Sequence, residues 1–290
     1  MSIRNNEERF GATPVQGDAP LTNLNQETTH EEKPPITPLS FSTPTEFVDL
    51  PSKGLYYPEG HPLHGKESIE IRFMTAKDED ILTSKSLLKK GIAIDRLLQN
   101  IIVDKSINLN TLLTGDKNAI IVAARVTGYG SSYQTKIACP SCGESSKVDF
   151  DLEGGIVKES QEIEDVEDNG DGTFVATTPR GQIKVKMKLL DGMAEKNLSK
   201  LTAAKKKNNQ PESTLSDQLR MAITAVEGQE DQMLVNAFIK SLPASDARYL
   251  RDVYAKKMPN VDLKHDYECQ SCGYEQEMEV PFTSDFFWPK

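Results

Sequence analysis

Large apolar side chains are nearly missing from the first forty residues, and cysteine, histidine and tryptophan are scarce everywhere: four, four and one in 290. No apolar run reaches the roughly eighteen residues that a membrane helix needs, so no span is expected. The opening Met-Ser-Ile-Arg-Asn-Asn-Glu-Glu has no apolar stretch behind its basic residue. That argues against a secretory leader and for a protein kept in the cytosol where it is made. Positive charge is in deficit, with 34 Lys and Arg against 44 Asp and Glu. An acidic balance disfavours broad binding to nucleic-acid phosphates. The densest basic run, Lys205-Lys206-Lys207, suits a solvated loop or helix end. No phosphate-binding glycine loop, His-Glu-x-x-His helix or Gly-x-Ser-x-Gly elbow occurs. His30 lies in the polar N-terminal stretch, and His61 and His64 flank Pro62-Leu63 in a loop that suits the surface. Nothing here announces an enzyme.

The composition divides the chain. Residues 1–40, rich in Asn, Gln, Thr, Glu and Pro, read as a disordered polar tail, either a plain solvated extension or an arm that folds on a partner. From Phe41 an irregular apolar segment carries Phe47, Leu55, Tyr56 and Tyr57, with a tight turn at Ser52-Lys53-Gly54. Ile69–Phe73 alternates as a half-buried strand does. Thr75 is a helix cap with acids behind it, and that helix should run on through Leu87 and Leu88 to Gly91. Further helices are expected over Ala93–Val103 and Lys117–Thr127, the latter stopping at Gly128-Tyr129-Gly130. The spacing then predicts strands at Thr173–Thr177 and Gln182–Leu189. Glu167–Thr173 lacks the full oxygen pattern and the closing glutamate of a calcium loop, and suits a hairpin turn. A helical segment through Leu219, Met221, Ile223 and Val226 should follow, then Met233–Ile239, then a helix capped by Ser245.

The four cysteines fall in one frame used twice: Cys139-Pro140-Ser141-Cys142-Gly143 and Cys269-Gln270-Ser271-Cys272-Gly273. In a reducing compartment such pairs point to metal before disulfide. Two residues between cysteines let both sulfurs face one ion, and four thiolates close a tetrahedral zinc site with no position open to substrate. Alternating apolar residues flank each knuckle: Val148, Phe150 and Leu152 after the first, and Met278, Val280 and Phe282 after the second. Each stretch reads as strand, knuckle, strand, with Tyr133–Ala138 and Val261–Glu268 leading in, and the two pair side by side as halves of a zinc ribbon. His265, four positions before Cys269, suits an exposed strand position better than a ligand. The insert from Gly143 to Glu268 is long, but closing such a loop costs roughly 4 kcal/mol in its logarithmic part. Structural zinc contributes about 10–16 kcal/mol. One structural zinc per chain, held by Cys139, Cys142, Cys269 and Cys272, is therefore expected.

The fold class expected is α+β: a helical N-terminal part joined to a split zinc-ribbon-like β element with a mixed α/β insertion. The expected divisions are the tail 1–40, a mostly helical domain 41–130, ribbon halves 131–152 and 261–283, an inserted β-hairpin plus helices 153–260, and an aromatic end 284–290. Phe47, Leu55, Tyr56, Tyr57, Phe286, Phe287 and Trp288 are candidate interface anchors, since aromatics suit that role. The aromatic end equally suits packing onto its own core.

Several segments, taken in order, carry a family likeness. They are Leu50-Pro51-Ser52-Lys53-Gly54-Leu55-Tyr56-Tyr57-Pro58, Phe73–Leu82, Leu113-Thr114-Gly115-Asp116 with Arg125, the first knuckle after Tyr129-Gly130, and the closing Phe286-Phe287-Trp288-Pro289. Their combination resembles the baseplate proteins of T-even-like contractile-tailed phages, especially those linked to assembly of the central hub. The likeness covers residues 41–290 and leaves the polar tail outside. It implies a non-enzymatic morphogenesis role through contacts with other baseplate hub or tail proteins. The setting implied is the cytoplasm of the infected host or the virion baseplate, with no nucleic acid and no membrane span. The rival from another class is a nucleic-acid-binding zinc-ribbon protein. It would need Lys and Arg near the knuckles, where only Lys136, Lys147 and Lys264 stand among Glu144, Glu268, Glu275, Glu277 and Glu279.

Overall fold

Two prolines, Pro44 and Pro51, bracket strand β1 (Thr45–Asp49), where the sequence suggested only irregular chain. A computed structural model describes residues 42–153, 156–209, 211, 213–280 and 284–287; the tail 1–40 and Trp288 lie outside them. β1 pairs antiparallel with β2 (Ser68–Arg72), Val48 opposite Ile69 and Phe47 opposite Glu70. The connection turns at Ser52-Lys53-Gly54. Gly54 has φ +72°, and a Cβ there would stand 2.4 Å from the Lys66 nitrogen and 2.5 Å from the Leu63 carbonyl, so only glycine fits.

The helix expected from Thr75 to Gly91 is broken. α1 (Ala76–Thr83) and α2 (Lys85–Lys89) meet at Ser84, whose backbone is extended. Serine prefers a cap to a helix interior, and the Ser84 carbonyl accepts from Leu87 and Leu88 to start the second helix. α1 is tied down by Asp78, which is fully buried. Its carboxylate accepts a two-pronged bond from Arg72 on β2, bonds from the Thr75 amide and hydroxyl, and one from Asn100. Asn100 lies on α3 (Ala93–Ile101), which buries Leu97, Leu98 and Ile101.

α4 (Thr114–Tyr129) is the central helix, three residues longer at its start than its apolar pattern implied. It ends at Gly130, whose φ of +81° carries the chain away. The hairpin of β3 (Ser132–Ala138) and β4 (Ser145–Asp151) follows. Next come β5 (Ile156–Lys158), β6 (Val166–Asp168), β7 (Thr173–Thr177) and β8 (Lys184–Lys188). α5 (Gly192–Lys207) starts on an Asp191 cap and carries Lys205–Lys207 in its last turn, where cations suit the helix dipole.

The helix expected through Val226 needs correction. α6 (Thr214–Ala222) stops at Ala222, and Ile223–Val226 form strand β9. β-branched Ile223, Thr224 and Val226 suit a strand, and β9 completes the four-stranded antiparallel sheet β6-β7-β8-β9. Glu227 and Gly228, both at positive φ, close the turn after it. α7 (Gln232–Ser241) follows. α8 (Ala244–Lys257) is capped at Pro243, not Ser245, two residues before the position expected.

β10 (Asn260–Asp262) leaves the stretch expected as one strand before the second knuckle and pairs with β5 instead. β11 (Lys264–Glu268) and β12 (Glu275–Glu279) form the second cysteine hairpin, and a 3₁₀ turn runs over Ser284–Phe287. β10 crosses close over α4. A Cβ on Gly115 would lie 1.9 Å from the Pro259 carbonyl oxygen. Ser42–Lys290 form one compact unit with a continuous apolar core from Val48 to Phe287. No helix among the described residues is long and apolar enough to cross a membrane.

Candidate metal centre

Each Cys-x-x-Cys segment is the tip of a hairpin, and backbone bonds shape both tips alike. Cys139 donates to the Glu144 carbonyl at 2.8 Å and Gly143 to the Cys139 carbonyl at 2.9 Å. In the second hairpin Cys269 donates to Tyr274 at 2.9 Å and Gly273 to Cys269 at 2.8 Å. Gly143 and Gly273 take φ +75° and +68°, the left-handed turn that glycine adopts without strain. The repeat seen in the sequence is thus a repeat of geometry.

The two tips meet. The Cys139 and Cys272 sulfurs are 3.7 Å apart, those of Cys142 and Cys269 are 3.8 Å apart, and all four lie within 4.8 Å of one another. These distances are far beyond the roughly 2.05 Å of a disulfide. Cys139 and Cys269, each the first of its pair, are buried; Cys142 and Cys272 face solvent. Amides aimed at the sulfurs ease ionisation. The Cys142 and Ser141 N–H groups draw the Cys139 thiol below its ordinary value. Those of Cys272 and Ser271 draw Cys269 down to about 6. At Cys142 the Glu144 amide pulls the same way, but the neighbouring sulfurs, Cys272 first, drive the thiol up to about 12. Thiols in such contact compete for ionisation unless a cation sits among them. The four residues form a closed donor set that could hold one metal ion.

The hairpins do not share a ladder: β3-β4 and β11-β12 are separate two-stranded sheets. Side chains join them instead. Phe150 stacks edge-on against His265 at 5.2 Å, His265 Nε2 lies 3.4 Å from the Asp151 carbonyl, and the Ser146 and Tyr267 hydroxyls meet at 3.4 Å. His265 therefore braces the hairpins and stands outside the sulfur cage.

The remaining candidates are dispersed. Phe47 and Leu55 are 68% and 62% exposed. Tyr56 is half-buried, its hydroxyl 2.5 Å from that of Ser160. Tyr57, Phe286 and Phe287 are buried in the chain's own core. Two polar nodes, at residues that the sequence marks only through the family likeness, have structural roles that the sequence does not assign. The Asp116 carboxylate, pushed up by burial, accepts from the Ser52 amide and hydroxyl and from the Tyr57 hydroxyl. The fully buried Arg125 donates to three carbonyls, those of Phe286, Gly130 and Ser132. For Arg125 a charge inside an apolar helix is a local signal; Asp116 stands just before the helix that the spacing predicts.

Two buried polar nodes and one cysteine cluster tie distant segments of a single mixed α/β unit. The family model described as T4 bacteriophage base plate protein matches residues 46–288, and the chain belongs to that family. It is a T4-like phage baseplate protein. No curated protein and no solved structure matches it. The segments that carried the likeness meet in space: Ser52 and Tyr57 of the first reach Asp116 of the third, and Arg125 reaches the closing aromatic segment.

Proposed function

We propose that this chain is a baseplate hub subunit or hub assembly factor that works by protein contacts without catalysis, and that its cysteines hold one structural zinc. The family match carries the first part. The sulfur geometry carries the second: four thiolates at a zinc–sulfur distance of about 2.3 Å have tetrahedral edges of about 3.8 Å. The two cross-hairpin sulfur distances are 3.7 and 3.8 Å. With all four positions filled by protein, such an ion has none left for substrate. It would bind the two ends of the long insert into one split ribbon. The exposed Phe47 and Leu55 are the contact anchors left on the surface. Of the few cations near the hairpins, Lys264 is already paired with Glu277 at 3.1 Å, which favours a protein partner over nucleic acid.

The protein acts in the cytoplasm of the infected host, on other hub or tail proteins. Two measurements test this reading. Elemental analysis of chain purified without chelator should find about one zinc per polypeptide, and a metal-free, fully folded chain would remove the site. Mixing the chain with purified hub components should give a complex or speed hub assembly; neither effect would remove the hub role.

A further inference from the structure

Four sulfurs gathered at one point can give up electrons as well as hold a cation. Their contacts run between the hairpins: Cys139 meets Cys272 at 3.7 Å, and Cys142 meets Cys269 at 3.8 Å. Each contact joins an exposed cysteine, Cys272 or Cys142, to a buried one, Cys139 or Cys269. All four are free thiols. A disulfide of about 2.05 Å leaves each pair about 1.7 Å to close. Oxidation of thiolates follows exposure, and redox-sensing cysteines often stand beside a second cysteine that resolves the oxidised one. The cage holds that arrangement twice, with the exposed and the resolving sulfur on opposite hairpins.

We infer that peroxide converts the cage from a zinc staple into a disulfide staple, by linking Cys142 to Cys269 and Cys272 to Cys139 across the two hairpins. The inference rests on the zinc reading for its reduced state and adds the regulation of that site. The exposed Cys142 sulfur attacks one peroxide oxygen; the O–O bond breaks, hydroxide leaves and a sulfenic acid forms. The Cys269 sulfur then attacks the Cys142 sulfur; an S–S bond forms, the S–O bond breaks and a second hydroxide leaves. Cys272 and Cys139 repeat both steps. Each disulfide takes two electrons from two thiolates. The whole cage consumes two peroxides, and the four hydroxides become water with protons from solvent.

A metal needs thiolates, and none remain after the second disulfide, so the ion departs. The hairpins nevertheless stay joined, because each new bond crosses from one to the other. A disulfide inside either knuckle would separate them. Zinc thus suits a reducing cytosol, and the disulfides suit an oxidising setting such as a virion surface.

The test treats the full chain, purified with zinc under reducing conditions, with hydrogen peroxide. A colorimetric chelator should read one zinc released for every two peroxides consumed. Trypsin without reductant cuts after Lys136, Lys147 and Lys264. A cross-hairpin disulfide therefore joins peptides 137–147 and 265–290, while one inside a knuckle leaves them apart, each lacking two hydrogens. Mass spectrometry should find them joined. Hydrogen exchange in β11-β12 should stay as slow in the oxidised, zinc-free chain as in the zinc form. Cys139→Ser with Cys272→Ser should still join the peptides. Cys142→Ser with Cys272→Ser leaves only the buried pair and should join them about tenfold more slowly or less. Separate peptides, oxygen gained without joining, or zinc retained under excess peroxide would overturn the inference. A chain that carries no zinc yet forms the same two disulfides would remove the zinc reading and leave the disulfide staple standing.

Discussion

Arg125 Nε donates to the carbonyl of Phe286 at 2.7 Å, across a separation of 161 residues. The same guanidinium reaches Gly130 and Ser132, so one side chain on α4 holds both the start of the first cysteine hairpin and the end of the chain. Phe286 in turn packs edge-on against Tyr133 of β3 at 5.1 Å. Arg125→Ala should leave three carbonyls without this donor and cost about 3–5 kcal/mol. Arg125→Lys keeps charge but not the planar fork, and should recover only part of that loss. Urea midpoints read both, and a loss below about 1 kcal/mol for Arg125→Ala would deny the clamp.

The Asp78 knot predicts acid sensitivity. Burial would raise this carboxyl, but Arg72 first, then Thr75 and Asn100, overcome burial and hold it well below the usual carboxylate range. A depressed folded value means that the stabilisation is fully present above the unfolded value near 3.8 and is lost as pH falls through the folded one. Asp78→Asn should cost about 2–3 kcal/mol at neutral pH. The gap to the parent should narrow below the unfolded value. A gap that stays constant down to pH 2 would contradict the assignment.

If the four cysteines hold the proposed metal, its removal should loosen one side of the molecule selectively. Chelation, or Cys142→Ser, should free β11-β12 from β3-β4, leaving side-chain contacts such as Phe150–His265 and Ser146–Tyr267 between them. Hydrogen exchange should accelerate in both hairpins and change little in α1, α3 and the β6-β7-β8-β9 sheet. Uniform acceleration everywhere would mean that the cage supports the whole fold.

Two helical glycines of α4 should respond oppositely to alanine. At Gly115 the new Cβ meets backbone, the Pro259 carbonyl at 1.9 Å, and neither chain can yield cheaply. Gly115→Ala should cost about 2–4 kcal/mol. At Gly128 the Cβ meets the terminal methyl of Met74 at 2.1 Å, a flexible end that can swing away. Gly128→Ala should be nearly neutral, with the gain in helix propensity offsetting the repacking. Thermal midpoints of the two variants decide this.

How far the sequence could be read varied with the range of the interaction concerned. The Thr75 cap, the turn at Gly54 and the stop at Gly130 depend on neighbours a few residues away, and each stands where its residues implied. At β9, Ile223 and Val226 continue a helical spacing in the sequence, and only the partner strand β8 makes an extended backbone the better choice. The single strand expected before the second knuckle divides for the same reason: β5 claims its first half and β12 its second.

The sequence by itself determined the sulfur frame, since Cys-x-x-Cys-Gly shapes each hairpin tip through bonds inside the tip, and it carried the order of segments that marks the family. Tertiary structure alone decided that the two tips meet, that Tyr57 and Phe286 turn inward while Phe47 stays out, and that Ser52 finds Asp116. Those outcomes depend on which distant surfaces bury one another, and a burial shared between remote segments leaves no local pattern in either.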